Sequence, residues 1–213
     1  MTVSPASSAA PVSPTSPAFD PLVATALAAA LQDDPFYRAI TVAAGDDAAQ
    51  RRQMLAAYFG LALAEAAQVG EVQAKGADGA ALWLTPQAGP AAIAAAQAVR
   101  QQALQPLLGA TGYAAYRAVC AAMAQQLPAS LEQAWYLSIL GVQPQARGQG
   151  LAQRLLAPTL ARADSEQAWC YLETYNLLSL PFYARLGFAQ QAVLAEAVTG
   201  RSYWLLVRAP RAV

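Results

Sequence analysis

Histidine is absent from all 213 residues, and its absence restricts the chemistry open to this chain. Imidazole is the most common general base and metal ligand at neutral pH, so any proton acceptor must be another residue type. Only two cysteines occur, Cys120 and Cys170, far apart and outside any Cys-x-x-Cys spacing. These counts argue against a zinc centre, and we expect two buried free thiols in a reducing compartment.

Charge is also scarce, because charged residues make up 12% of the chain and the formal net charge is zero. A nucleic-acid partner would require a basic field, which this composition does not supply. No run approaches the roughly 18 uninterrupted apolar residues that a membrane span needs. The first residues also lack the basic and apolar regions of a secretory signal. We therefore expect a cytoplasmic protein with no membrane or nucleic-acid partner.

The amino-terminal segment differs in composition from the rest of the chain. Residues 1–18 are rich in proline, serine and alanine. Such a segment cannot bury enough apolar surface to offset its loss of conformational entropy, so we expect a disordered tail. The remaining residues, 19–213, are numerous enough for one domain with a sizeable core.

Apolar periodicity and turn residues predict helices and strands in mixed order along the chain. Aspartate before Pro21 predicts a helix start, whereas aspartate before Pro35 predicts a break. The mixed order indicates an α/β fold, with an α+β type of mixed sheet covered by helices. The predicted helices span 20–31, 47–67, 91–105, 113–126, 148–162 and 179–186, and the predicted strands span 69–75, 80–85, 133–142, 168–174, 188–195 and 202–208.

Residues 136–151 combine an apolar strand, a glycine-rich turn and the start of a helix. This order is typical of a phosphate site, because turn amides converge and the helix N-terminus adds about half a positive charge. Gly148 and Gly150 would let a ligand approach the backbone. Arg147 could add a forked, charged donor.

The details of this turn narrow the choice of phosphate ligand. A Walker-type loop ends in Gly-Lys-Ser/Thr, but here Leu151 follows Gly150. A dinucleotide fingerprint needs a glycine or alanine where this chain has Gln153. Glu173 does lie about twenty residues on, where a ribose-binding acid belongs. The dinucleotide interpretation is therefore weakened but stays open.

The motif Gln145-x-x-Gly148-x-Gly150 resembles the pyrophosphate loop of the GNAT N-acetyltransferase superfamily, which binds acetyl-CoA. Similarity continues through Tyr-Leu-Glu-Thr-Tyr-Asn at 171–176 and Leu-Pro-Phe-Tyr-Ala-Arg-Leu-Gly-Phe at 180–188. The puromycin N-acetyltransferase-like members are the most similar group, and the resemblance is strong over about 135–190. It implies a central, mostly antiparallel sheet in which two neighbouring strands splay and admit the thioester of acetyl-CoA.

The resemblance also implies which residues bind the cofactor. The strand before the loop would offer backbone groups to the pantetheine arm, and the N–H of Leu140 would polarise the thioester carbonyl. Asn176 would contact the pantetheine amides, although it also suits an N-terminal helix cap. The residues implied for acetyl-CoA binding are Leu140, Val142, Gln145, Arg147, Gly148, Gln149, Gly150, Leu151, Ala152 and Asn176.

Two residues are candidates for proton transfer. Tyr183 matches the general-acid tyrosine of the family, and a phenol with a pKa of about 10 keeps its proton at neutral pH. With no histidine present, Glu173 is the candidate general base, beside the implied splay. A water chain, or an amine that arrives neutral, would need no dedicated base. On the acceptor side, the resemblance suggests four residues that are also common core or loop residues: Asp34, Phe36, Tyr37 and Trp83.

The resemblance implies that this chain transfers an acetyl group from acetyl-CoA directly to a primary amine of a small molecule. Cys170 on the implied strand is more simply a core residue than a nucleophile. The alternative is a non-catalytic module that senses acyl-CoA or sequesters a small molecule. A monomer and a homodimer are both compatible with the sequence.

Overall fold

The computed structural model describes residues 20–212, so the predicted tail at 1–18 lies outside the described part. These described residues form six α-helices and six strands in mixed order. The helices are α1 (Pro21–Leu31), α2 (Pro35–Ile40), α3 (Ala48–Val69), α4 (Pro90–Gln126), α5 (Leu151–Ser165) and α6 (Leu180–Arg185). The strands are β1 (Gly70–Ala74), β2 (Gly79–Leu84), β3 (Trp135–Val142), β4 (Cys170–Thr174), β5 (Ala189–Glu196) and β6 (Arg201–Arg208).

Three helices begin with an aspartate N-cap, whose carboxylate accepts a backbone N–H of the first turn. Asp20 accepts from Leu22, and Asp47 accepts from two amides of α3. Asp34 accepts from Phe36, and α2 begins there. The sequence predicted only a break at this aspartate. The missed helix has the same Asp-Pro start as α1, in which the cap satisfies an otherwise free amide.

Two helices differ from the prediction in their limits. α4 is nearly continuous where two helices were predicted, and only Gly109 has non-helical backbone, at φ 67° and ψ 174°. α5 begins at Leu151, three residues later than predicted. The reason is that Gly150 adopts a left-handed conformation, with φ 71°, and forms the N-cap. α5 accommodates Pro158 within one helix, as expected.

The six strands form one mixed sheet in the order β1-β2-β3-β4-β6-β5, in which β1–β2 and β5–β6 are antiparallel hairpins. Neighbouring strands are antiparallel except for β3 and β4. That parallel pair has only two register partners, Trp135 with Cys170 and Tyr136 with Tyr171. Beyond these residues the strands separate, as the resemblance implied. Within residues 20–212, no strand precedes Gly70.

A β-bulge in β3 lies directly beside this separation. Trp83 of β2 pairs with Leu137 and the next partner pair joins Leu82 to Ile139, so Ser138 is an extra residue. Its hydroxyl donates to the Leu82 carbonyl at 3.1 Å. Leu137 packs on the α5 side of the sheet, whereas Ile139 packs on the side of α1 and α3. In a regular strand, Leu137 and Ile139 would lie on the same face of the sheet. Because of the bulge, the side chains of β3 after Ser138 lie on the faces opposite to those that regular alternation would give.

Helices cover both faces of the sheet, and each face has its own apolar core. α1, α2, α3 and α4 pack on one face, around residues such as Leu27 and Phe59. α5 and α6 pack on the other face, around Trp135 and Leu156. Cys170 is buried and unpaired in the second core. Within residues 20–212, no helix has both the length and the apolar character required to cross a bilayer.

Two helical glycines provide a test of this packing. Gly60 of α3 is exposed, and a Cβ there would meet no atom within 4 Å. Gly60→Ala should stabilise the fold by about 0.5–1 kcal/mol, because alanine has the higher helix propensity. A Cβ on Gly112 of α4 would lie 2.2 Å from the carbonyl oxygen of Ile40. Gly112→Ala should therefore destabilise the fold by about 1–3 kcal/mol. Urea unfolding would measure both, and equal effects would contradict the described α2–α4 contact.

Candidate active site

The separation of β3 and β4 opens into a cavity of about 970 Å³ on the face covered by α2, α3 and α4. This volume lies at the upper end of the range for small-molecule sites. Five consecutive residues of β3, 136–140, line the cavity, as do residues 171–175 of β4 and the following turn. Tyr183 of α6 also lines it. The cavity therefore joins the gap between the strands to the helical layer.

Glu173 lies on β4 just beyond the last residue pair shared with β3. Burial raises the pKa of its carboxyl from 4.5 to about 7. Hydrogen bonding from Tyr136 and from its own backbone amide opposes that rise. The Oε2 atom is buried and has no hydrogen-bond partner among the described residues. A carboxyl with a pKa near neutrality and one free oxygen has the properties of a general base.

Tyr183 lines the same cavity from α6 and is only 8% exposed. Its ring packs against Phe182 and Phe188, at centroid distances of 5.1 and 5.9 Å. Burial in these apolar surroundings raises the pKa of the phenol well above its ordinary value. Tyr183 therefore keeps its proton at neutral pH and can donate it to a developing anion.

The glycine-rich turn between β3 and α5 leaves backbone amides exposed. Gly148 and Gly150 both have positive φ, 77° and 71°. No side chain caps α5, so its first amides have no capping partner within the described chain. A Cβ on Gly148 would meet no atom within 4 Å, which leaves the approach open. Free amides at a helix N-terminus form a site for an anion such as a pyrophosphate.

Arg147 makes two hydrogen bonds that link the turn to other parts of the protein. Its Nε atom donates to the carbonyl of Val142 at 3.1 Å, and Nη2 donates to the carbonyl of Ala30 at 3.1 Å. The guanidinium thus links the turn to the end of β3 and to α1. Two of its donor atoms, Nε and Nη2, are therefore used within the protein.

The other predicted cofactor residues lie around the gap and the turn. Leu140 lines the cavity, and its side chain lies on the α5 face with that of Val142. Trp135 donates its amide to the carbonyl of Trp169 on the β4 side at 2.8 Å. Along a strand, successive backbone N–H groups point alternately to the two neighbouring strands, here β4 and β2. The extra residue at Ser138 shifts this alternation by one position. The N–H of Leu140 therefore points towards the gap on the β4 side.

The remaining cofactor candidates have local structural roles. The side-chain oxygen of Asn176 accepts the amide of Leu178 at 3.0 Å, so Asn176 acts as a helical cap. It does not line the cavity. Leu151 is buried in the α5 core, and Ala152 is half-buried at the helix start. In the turn itself, the side-chain amide nitrogen (Nε2) of Gln149 lies 3.5 Å from the backbone carbonyl oxygen of Gln145.

Three of the four predicted acceptor residues line the cavity, namely Asp34, Phe36 and Tyr37. Burial raises the pKa of Asp34 to about 6, although backbone amides of α2 donate to it. Trp83 is fully buried in the α5 core, on the opposite face of the sheet. That position excludes Trp83 from the cavity and corrects the expectation from the sequence.

Sequence patterns missed several cavity residues. Glu65 of α3 and Arg100 of α4 form a buried ion pair at 2.6 Å in the cavity wall. The guanidinium also lies 5.0 Å from the ring centre of Tyr58. Tyr136 and Tyr171, which line the cavity beside Glu173, were not singled out either. No local signal marks these residues, because their roles depend on helix packing and strand register.

Comparison with known proteins agrees with this geometry. The model of the acetyltransferase (GNAT) family matches residues 87–188, which include β3, the glycine-rich turn, β4 and α6. The fold is similar to that of arylalkylamine N-acetyltransferase 2 from Aedes aegypti, with a TM-score of 0.54 and 12% identity over 89% of this chain and 94% of that one. It is also similar to a solved acetyltransferase, with a TM-score of 0.50 and 16% identity over 92% of this chain and 98% of that one. These matches support the GNAT fold predicted from the sequence.

Other matches are partial. The NatC complex bound to Gag peptide and CoA aligns at 23% identity and a TM-score of 0.33, over 35% of this chain and 50% of that one. Two further solved acetyltransferases match over 56% and 58% of their own chains. This chain therefore spans little more than half the length of these structures.

The position of Glu173 predicts a pH-dependent stability difference. The pKa of its carboxyl in the fold is above the ordinary 4.5. The folded protein therefore loses stability as pH rises from about 4.5 to about 7, because the buried carboxyl is harder to ionise than the same group in the unfolded chain. Glu173→Gln removes this cost. The variant should gain up to about 3 kcal/mol over the native chain at pH 8 and little at pH 4. Thermal unfolding across this range measures the gain, with Glu132→Gln, an exposed cavity glutamate, as the background. A gain independent of pH would contradict the burial of Glu173.

Proposed function

We propose that this chain is an acetyl-CoA-dependent N-acetyltransferase of the GNAT type that acts on a primary amine of a small molecule. One observation supports this most directly: the parallel strands β3 and β4 separate after two residue pairs, into a cavity lined by both Glu173 and Tyr183. The gap leaves room for a thioester arm between the strands. The cavity supplies a proton acceptor and a proton donor beside that gap.

The reaction is a direct transfer in which every proton has a place. Glu173 accepts a proton from the ammonium group of the acceptor, and the free amine attacks the acetyl carbonyl. The N–H of Leu140 stabilises the charge that develops on the carbonyl oxygen. The carbon–sulfur bond then breaks, and Tyr183 donates its proton to the departing thiolate. The acylated nitrogen gives up its second proton, which balances the proton lost by Tyr183, and the proton held by Glu173 passes to solvent before the next cycle. The products are an N-acetylated amine and CoA.

A covalent acetyl-enzyme is not needed for this reaction. Cys170 is fully buried in the α5 core and does not line the cavity. Burial raises the pKa of its thiol to about 12, so little thiolate forms at neutral pH. These properties favour direct attack by the amine over a route through Cys170.

Acetyl-CoA fits the turn between β3 and α5. GNAT acetyltransferases use acetyl-CoA as a co-substrate, and one of the solved matches is bound to CoA. We assign the pyrophosphate to the free amides at Gly148, Gly150 and Leu151. Arg147 supports this turn by linking it to β3 and α1. The pantetheine arm would then lie along the exposed backbone of β3 towards Leu140.

A small amine with an apolar or aromatic part fits the acceptor side of the cavity. Phe36 and Tyr37 form part of its wall, and their ring centres lie 5.1 Å apart. Asp34 adds a carboxylate that would attract a cationic group. The similarity of residues 180–188 to puromycin N-acetyltransferase-like members also supports a small-molecule acceptor. We place the enzyme in the reducing cytoplasm, which suits its two free thiols, with residues 19–213 as one catalytic domain.

The glycine-rich turn can be tested with two glycines of similar conformation. Gly148→Ala and Gly200→Ala both place a methyl group at positive φ, 77° and 63°, with no atom within 4 Å of the new Cβ. Each should destabilise the fold by about 1 kcal/mol. Only Gly148→Ala should weaken CoA binding, by tenfold or more, because its methyl group obstructs the approach to the amides. Titration calorimetry with CoA measures this, and equal affinities for the two variants would refute the assignment of the turn.

Removal of the Tyr183 hydroxyl tests the chemistry separately from binding. Tyr183→Phe should lower kcat by about 10²–10³-fold, while the Kd for acetyl-CoA stays within about twofold. Thiol release with a panel of aromatic and aliphatic amines provides the assay.

Tyr113→Phe is the matched control, since Tyr113 does not line the cavity. Tight acetyl-CoA binding without turnover of any amine by the native chain would favour a non-catalytic sensor. A shift of thermal midpoint with NAD and none with CoA would instead favour a dinucleotide site.

A further inference from the structure

Two tyrosines form the last residue pair before β3 and β4 separate. Tyr136 of β3 is the register partner of Tyr171 of β4, and their rings stack at a centroid distance of 4.7 Å and an interplanar angle of 14°. Both residues line the cavity. The stack therefore closes the end of the gap in which Glu173 lies two residues further along β4.

The two hydroxyl groups of this stack differ in their relation to Glu173. The Tyr136 side chain lies close enough to the Glu173 carboxylate to lower its pKa as a hydrogen-bond donor. Tyr171 is influenced by the Glu173 charge, but within the described chain it has no hydrogen bond to that carboxylate. The Oε2 atom of Glu173 has no partner among residues 20–212. An unpartnered Oε2 is consistent with a Tyr136 contact at the other carboxylate oxygen.

We propose that Tyr136 is a positioning residue for the general base: its hydroxyl donates to one oxygen of Glu173 and leaves Oε2 free for the proton of the acceptor amine. The proposal rests on the proposed function, in which Glu173 accepts that proton. A carboxylate held by one donor keeps a single orientation, so the free oxygen stays directed into the gap. Without the donor, the side chain could rotate away from the amine.

The surroundings of Glu173 make this single hydrogen bond important. Within the described chain, the titratable groups that face Glu173 are Tyr136, Tyr171, Cys120 of α4 and Tyr203 of β6. None of these groups is a cation. Burial raises the pKa of Glu173, and the Tyr136 hydroxyl is the side-chain donor that lowers it. Loss of the hydroxyl should therefore raise the pKa further, because the buried carboxylate loses its donor.

The stacked pair provides its own control. Tyr136→Phe removes the hydroxyl that donates to Glu173 and keeps the ring of the stack. Tyr171→Phe removes the other hydroxyl and also keeps the stack. A purely structural role for the stack would give the two variants the same pH profile.

The experiment measures kcat/KM from pH 5 to pH 9 for the native chain and both variants, with an amine found active in the thiol-release screen. We expect the acid limb of Tyr136→Phe to move to higher pH. A movement of one pH unit gives about tenfold lower kcat/KM at pH 6 and nearly native values at pH 9. The acid limb of Tyr171→Phe should remain in place. Equal profiles for the two variants would overturn the proposal.

A second measurement separates this proposal from the proposed function. Carbon-13 NMR of glutamate-labelled protein follows the Glu173 carboxyl directly and needs no turnover. The Glu173→Gln variant identifies its resonance. A higher pKa of the Glu173 carboxyl in Tyr136→Phe alone would support the contact even if no amine were acetylated. In that case the proposed reaction, and not the contact, would be wrong. An unchanged pKa would refute the Tyr136 contact even if acetyl transfer were established.

Discussion

The short parallel contact between β3 and β4 is the constraint on which the rest of the site depends. Backbone hydrogen bonds hold these strands together at Trp135 and Tyr136 and then stop. A sheet with an internal gap needs support from both faces, and the two separate cores provide it. The exposed edges of the gap give an extended ligand room to bind between strands, which a continuous sheet would not allow.

The bulge at Ser138 makes this gap usable. Without the extra residue, Leu140 would present its amide to β2 and its side chain to the α1 core. With it, the backbone of Leu140 faces the gap, and Leu137 can still pack under α5. One inserted residue thus determines both the packing of β3 and the direction of the amide that we assign to the thioester carbonyl.

The sequence predicted the features that depend on local patterns. The strand, turn and helix around Gly148 and Gly150 were identified because glycine spacing and apolar periodicity are local signals. Glu173 was placed beside the gap because the sequence predicted a strand over residues 168–174. In contrast, alternation along β2 indicates that Trp83 faces one side of the sheet without showing which side contains the cavity. The contact of Tyr136 with Glu173 depends on the register of β3 and β4, which no short motif encodes. Partners far apart in sequence, such as Glu65 and Arg100, were missed for the same reason.

Amide hydrogen exchange, measured with and without saturating acetyl-CoA, would test the use of the gap most directly. The account predicts that the amides of Leu140 and of residues 148–151 exchange several-fold more slowly when acetyl-CoA is bound. The amide of Trp135 already donates to Trp169 within the sheet, so its rate should not change. Unchanged exchange at Leu140 under saturating acetyl-CoA would show that the cofactor does not enter between β3 and β4, and would contradict the account.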